Sequence, residues 1–350
     1  KVAGFLAIVP KEYTESLPSP EAFAQAPIGA GPFKFVERKI GQSMELVRFD
    51  DYWGNKAAVK HIIYRVVPEP ASRVNALLAG EVDIADGIAA SDVARIRQNA
   101  GLRVDTVKAG SPLMVRLYSI TPGTPLANPK VRQALNYAVD RNAIIKSVLH
   151  GVGEPMPTFL SSVYPIGIDP ALKPYPYDPE KAKALLAEAG YADGFDVVIE
   201  GRPDAYGFDK EIMTAVAEYL KMVGVNATVE YVESGLFWEK AESYSFKGLA
   251  WLGWAALINP IVENLILTCG HVDNAANYCN EEVDALYNQM LAEADPAVRQ
   301  ELNFQIQELV WDDAPWLYLW KLPMVFGVSN SVDYAPRADG YIFLWEAKLK

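Results

Sequence analysis

Apolar and polar positions alternate with a period of two through Phe33 and Phe35, and again through Met44 and Leu46, with Val47 next to it. The two runs flank Ile40-Gly41-Gln42, and together they predict a β-hairpin. Pro27, Gly29, Gly31 and Pro32 mark a tight turn before it, and Asp50-Asp51-Tyr52-Trp53-Gly54 a second turn after it. Residues 61–67 then read as a strand. Residues 71–79 read as a short helix with Val74, Leu77 and Leu78 on one face, ended by Gly80, and 82–84 as a buried strand. Strand–helix–strand order of this kind points to an α/β lobe.

Further along, 115–120 is apolar and β-rich. Asn128-Pro129 is a good helix start, with Val131, Leu135, Ala138 and Val139 as the inner stripe. Residues 151–177 have few periodic signals and form a long loop rich in Pro and Tyr, a class of loop that is often functional. Asp178-Pro179 opens another helix, closed by Gly190. Strands are expected at 196–200, 227–232, 249–254 and 317–321, and helices at 209–223, 281–293 and 296–312.

Composition narrows the class. A chain of 350 residues with 51% hydrophobic and 11% aromatic content can build two lobes, each with its own core. The formal charge is −12, from 32 basic and 44 acidic residues without a Lys/Arg block, which argues against nucleic acid or anionic lipid as the main partner. The apolar run 249–258 is too short to cross a bilayer, which takes roughly 18 residues. The opening KVAGFLAIVPKEY lacks the layout of a signal peptide and reads like the middle of a domain. Cys269 and Cys279 enclose a polar, turn-rich loop and suit a disulfide formed in an oxidising compartment. The alternative is a metal site on Cys269, His271 and Cys279, which lacks a fourth ligand and the usual C-x2-4-C spacing.

Catalytic motifs are not evident. His61, His150 and His271 are far apart, and there is no G-x-S-x-G elbow. Gly29-x-Gly31 and Gly151-x-Gly153 are incomplete glycine motifs, best read as turns. Glu281-Glu282 and Asp312-Asp313 sit at helix ends, where carboxylates are solvated or meet the helix dipole. Aromatics are the better lead. Trp251 and Trp254 fall at one strand end, and Trp311, Trp316, Tyr318 and Trp320 near another. Core packing accounts for Trp311 and Trp316. Trp254 ends a strand before a Pro-containing loop, where open α/β sheets present ligand-facing residues.

Several segments carry a resemblance: PIGAGPFKF, DDYWGN, ALLAGEVDI, NPKVRQALNYAVDRNAII and LKMVGVNATVEYVE. Together they resemble the bacterial extracellular solute-binding proteins of family 5, the peptide/nickel/opine type, over essentially the whole chain. The resemblance implies a two-lobed α/β fold of the periplasmic-binding-protein type II (cluster C) architecture. Two strands would cross between the lobes, with 1–112 and 322–350 in lobe one and 113–321 in lobe two. Family members have a long segment before the point where this sequence opens, so lobe one is expected to be incomplete.

In function, the resemblance implies a monomeric receptor for an ABC importer, periplasmic or lipid-anchored outside the cell. It would hold a small-molecule solute in the interlobe cleft without chemistry and without a cofactor, and meet a membrane permease. A sensor of the same fold and a hydrolase are the alternatives. LAWLGWAALINP resembles the strand and loop in which relatives place an aspartate, three residues after the tryptophan, on the ligand's ammonium group. Here Leu257 stands at that position, and Asn259-Pro260 replaces an Asp-Pro. IEGRPDAY resembles the segment that puts an arginine on a ligand carboxylate, which would be Arg202; a surface arginine beside Pro203 is the alternative. The candidate ligand-binding residues are therefore Trp254, Arg202, Trp251, Leu257, Asn259, Tyr118, Arg116 and Tyr318. A retained arginine without an ammonium partner suggests an anionic or neutral ligand: an opine, a sugar conjugate or a blocked peptide.

Overall fold

The computed structural model describes residues 8–107, 112–118, 122–160, 167–203, 205, 208–253, 264–271, 274, 277–321, 323–337 and 342–350. The chain divides into two compact units, Lys1–Val107 with Met324–Lys350, and Lys108–Pro323.

Unit 1 opens with two short helices, α1 (Lys11–Ser16) and α2 (Pro20–Gln25), neither of which buries a residue. The expected hairpin follows as β1 (Phe33–Lys39) and β2 (Ser43–Arg48), paired antiparallel. Gly41, with φ of +72°, supplies the left-handed turn residue. β3 (His61–Arg65) extends this meander to three strands. Helix α3 (Pro70–Leu78) buries Val74 and Leu77, and Gly80 follows at φ +72°. The strand expected at 82–84 shrinks to β4 (Ile84–Ala85), and α4 (Ala90–Arg97) and β5 (Leu102–Val107) were not foreseen.

Unit 2 is built on a mixed sheet. β6 (Pro112–Leu117) starts three residues before the expected strand, because its register is set by antiparallel neighbours on both sides. Two helices follow. α5 (Pro129–Ala138) starts where Asn128 accepts the Lys130 N–H, and α6 (Arg141–Ser147) where Asp140 accepts that of Ala143. The described parts of the long loop carry the short β7 (Glu154–Pro155), lay Phe159 against Trp316 and stack Tyr175 on Trp311.

α7 (Pro179–Glu188) begins at the Asp178 cap and ends near Gly190 at φ +88°. β8 (Phe195–Gly201) and β9 (Val225–Tyr231) run parallel, so α8 (Asp209–Lys221) must cross over between them. α9 (Ser234–Glu242) and β10 (Leu249–Trp251) come next, then α10 (Glu281–Ala292), α11 (Pro296–Asp313) and β11 (Trp316–Lys321). The strand order is β7-β11-β6-β10-β8-β9.

The chain re-enters unit 1 as β12 (Met324–Ser329), which sits between β4 and β5, followed by β13 (Val332–Asp333) and β14 (Lys348–Leu349). Val74, Leu77, Ala85, Ile88, Ile96 and Val325 form the core of this part.

Because side chains alternate across a strand, the unit 2 sheet carries two cores. Val115, Leu117, Ile199, Leu249 and Trp251 belong to a large cluster with Leu135, Ile212, Met213 and Val216 of the helices. Ala250, Leu252 and Tyr118 belong to a smaller one with Phe237, Ala241 and Phe246 around α9.

Candidate functional site

The end of β8 is where the sequence-nominated arginine stands. Gly201 is its last residue, and a side chain there would be crushed: an added Cβ would lie 2.6 Å from Met213 Sδ and 2.7 Å from Trp251 Cβ. The residues on either side, Glu200 and Arg202, point the opposite way, towards α9. That helix starts where the Glu233 carboxylate accepts the N–H groups of Gly235 and Leu236 at 2.8 and 3.2 Å. The Arg202 guanidinium carbon lies 5.2 Å from the Phe237 ring centre and 5.1 Å from that of Trp238. Both distances fall within the reach of a cation–π interaction. Phe237 is fully buried, whereas Trp238 is 45% exposed, so the arginine stands at the margin of the smaller core.

One step back along the strand, the buried Glu200 accepts from Lys240 Nζ of α9 and from the Lys247 backbone N–H at 2.6 Å. Lys247 Nζ itself reaches Glu230 on β9 at 2.7 Å. Both Glu200 oxygens are therefore satisfied, as a buried carboxylate requires.

The other sequence-nominated positions go elsewhere. Trp251 is completely buried, and its indole N–H donates to the buried Asp209 at 2.6 Å. Tyr318 is buried as well; its hydroxyl donates to the Val310 carbonyl, and burial holds its pKa well above the usual range. Arg116 of β6 and Tyr118, the residue just past it, are also interior, with Tyr118 edge-on to Phe246 at 5.2 Å. Burial likewise raises the Tyr118 pKa, with the Arg116 charge opposing the shift. These four side chains are buried. Trp254, Leu257 and Asn259 lie outside the described residues.

Cys269 and Cys279 are joined in a disulfide, which removes both thiolates from the alternative metal site with His271. The loop they close is tied to the end of α11, where Asp313 accepts from the Tyr278 hydroxyl at 2.6 Å and from Asn280 Nδ2 at 2.7 Å. Among the described residues no group of three His, Cys, Asp or Glu side chains is placed to hold a metal ion. Among them, too, no helix is long and apolar enough to cross a membrane.

Unit 1 contains a cavity of about 820 Å³ between β3 and β4, walled by Ile62, Tyr64, Ile84, Val332, Ile342 and Leu344. Arg73 on its wall donates to the carbonyls of Val67, Pro68, Asp86 and Gly87, which makes it a brace for the surrounding turns.

Sequence reading missed Phe237, Trp238 and Lys240, because it placed no element between 232 and 249, and it put Glu200 in the strand at 196–200 without giving it a role. A signal was present: Ser234 is of the N-capping type, and Phe237 and Ala241 are spaced for one apolar face.

Comparison with known proteins agrees with this architecture. The haem-binding protein A of Haemophilus influenzae is 31% identical, over 97% of this chain and 62% of that protein. The dipeptide-binding protein of Escherichia coli is 30% identical, over 90% of this chain and 60% of its own length. This chain thus spans about 60% of the length of these curated relatives. In fold, it matches the periplasmic binding protein DppA of Helicobacter pylori, solved with the peptide STSA. That match has a TM-score of 0.83 at 24% identity and covers 98% of this chain and 68% of that one. The profile described as bacterial extracellular solute-binding proteins, family 5 Middle, matches residues 2–274. The chain belongs to the family 5 bacterial extracellular solute-binding proteins.

Proposed function

We propose that the protein is the solute-capturing receptor of an ABC importer, working outside the cytoplasmic membrane and handing its cargo unchanged to a membrane permease. Within it, Arg202 is the group that recognises an acidic function on the solute. The observation that carries this reading is the arginine at the C-terminal end of β8, held against the rings of Phe237 and Trp238. Strand ends of this kind are where α/β sheets bind ligands. A guanidinium's planar fork of N–H groups matches a carboxylate bidentately, which suits recognition of an acidic solute.

Family membership supports the receptor role. Haem and dipeptides, the ligands named for two relatives, both carry carboxylates. Leu257 supports a solute without a required ammonium group, since an alkyl side chain cannot neutralise a cation taken out of water.

Calorimetric titration tests this with N-acetyl-alanyl-alanine, its C-terminal amide and free dialanine, against wild type and Arg202→Ala. The acetylated acid should bind wild type, and the alanine variant should bind it at least about tenfold more weakly, or about 1.4 kcal/mol. The amide should be insensitive to the substitution. Tight binding of free dialanine that depends on its amino group would refute the ligand class. Mass spectrometry of the recovered solute should show it chemically unaltered.

A further inference from the structure

We infer that Glu200 is a positioning residue for the Arg202 site, acting through Lys240. The inference rests on the reading of Arg202 as the acid-recognising group. β8 and α9 meet along two matched rungs. Glu200 holds Lys240, and Arg202 lies against Phe237 and Trp238. On the strand the rungs are two residues apart, a rise of about 6.6 Å. On the helix Phe237 and Lys240 are three residues apart, a rise of about 4.5 Å, and three-residue spacing puts them on neighbouring positions of one face. The ion pair therefore sets how far α9 slides along β8 and how it is rotated about its axis. Those two coordinates decide where the Phe237 and Trp238 rings stand relative to the guanidinium.

The setting suits this role. Glu200 is 1% exposed and its partner Lys240 side chain 18%, so the pair is shielded from the solvent that weakens surface ion pairs. The second Glu200 oxygen takes the Lys247 N–H, which fixes the turn leading into β10 from the same carboxylate. Lys247 Nζ on Glu230 adds a parallel strut from β9. Hydrophobic contacts alone tolerate repacking, losing uniqueness before they lose stability. The charge pair supplies the register.

The test uses the full chain labelled with 5-fluorotryptophan. It carries eight tryptophans, and the ¹⁹F resonance of Trp238 is assigned by its loss in Trp238→Phe. Arg202→Ala should shift the Trp238 resonance, since it removes the cation from the ring. Glu200→Gln and Lys240→Met should each shift it as well, leaving the other resonances in place, while Lys240→Arg should restore the wild-type position. Affinity for N-acetyl-alanyl-alanine should fall about tenfold in Glu200→Gln. A Trp238 resonance unmoved in both Glu200→Gln and Lys240→Met, while moved in Arg202→Ala, would overturn the proposal. If the resonance moves as described but wild type fails to bind the acid, positioning stands and the ligand reading falls. Lys240→Met reads the same contact from the helix side should Glu200→Gln fold poorly.

Discussion

Arg141 is held inside unit 2 by Asn136: Nη2 donates to Asn136 Oδ1 at 2.9 Å, and the same oxygen accepts the Tyr318 N–H at 3.0 Å. Nε donates to the main-chain carbonyl of Tyr318, and Nη1 to those of Asn136, Val139 and Tyr175. A buried cation is thus stabilised by oriented dipoles, and desolvation brings its pKa down to about 10, with Tyr175 and Asp140 opposing. It stays charged at neutral pH.

Asn136→Ala removes an acceptor from a buried charge and from a strand N–H together. Hydrogen bonds to charged groups contribute about 1.5–3 kcal/mol each, so the variant should lose about 3 kcal/mol. Urea unfolding followed by far-UV circular dichroism reads this directly; a loss under about 1 kcal/mol would mean that water replaces the amide.

At high pH the buried tyrosines decide stability. Tyr118, Tyr175, Tyr278 and Tyr318 all have raised pKa values, with desolvation the largest cause in each. A folded-state pKa above the unfolded value of about 10 gives stability that is complete below pH 10 and lost as pH rises through the folded values. Arg132 and Arg141, whose pKa values desolvation lowers, work in the opposite sense, but they are two groups against these four. Absorbance at 295 nm should show this buried set ionising together with loss of the circular dichroism signal. Smooth ionisation of all of them before unfolding would contradict the burial.

Reducing the Cys269–Cys279 bond opens a loop with a sequence separation of 10 residues. Chain-entropy arguments put its contribution at about 3 kcal/mol. The double Cys→Ser variant should unfold at a correspondingly lower temperature in calorimetry, and reducing agent should shift wild type but not the variant.

Gly201→Ala forces a methyl group into Met213 and Trp251. Met213 can turn aside, but the Trp251 Cβ sits on the neighbouring strand, so β8 must move at its end. A cost of about 1–3 kcal/mol follows for overpacking. Because Arg202 is the next residue, binding of the acetylated acid should weaken too, and Trp238 fluorescence should change along with it.

Much of the local structure was legible from the chain alone. The β1–β2 hairpin follows from alternation around Gly41, and α7 from Asp178-Pro179 at one end and Gly190 at the other. The cysteine pair needed only a short polar loop between them. These signals act over a few residues, which is the range of backbone sterics, capping and side-chain alternation. Tertiary structure decided the rest. It buried Trp251 against Asp209, moved β6 to its final register between two antiparallel neighbours, and set α9 beside β8 so that Phe237 and Trp238 meet Arg202. Burial, strand register and ring–cation contact all join residues distant along the chain, and periodicity carries no information about which distant partners meet.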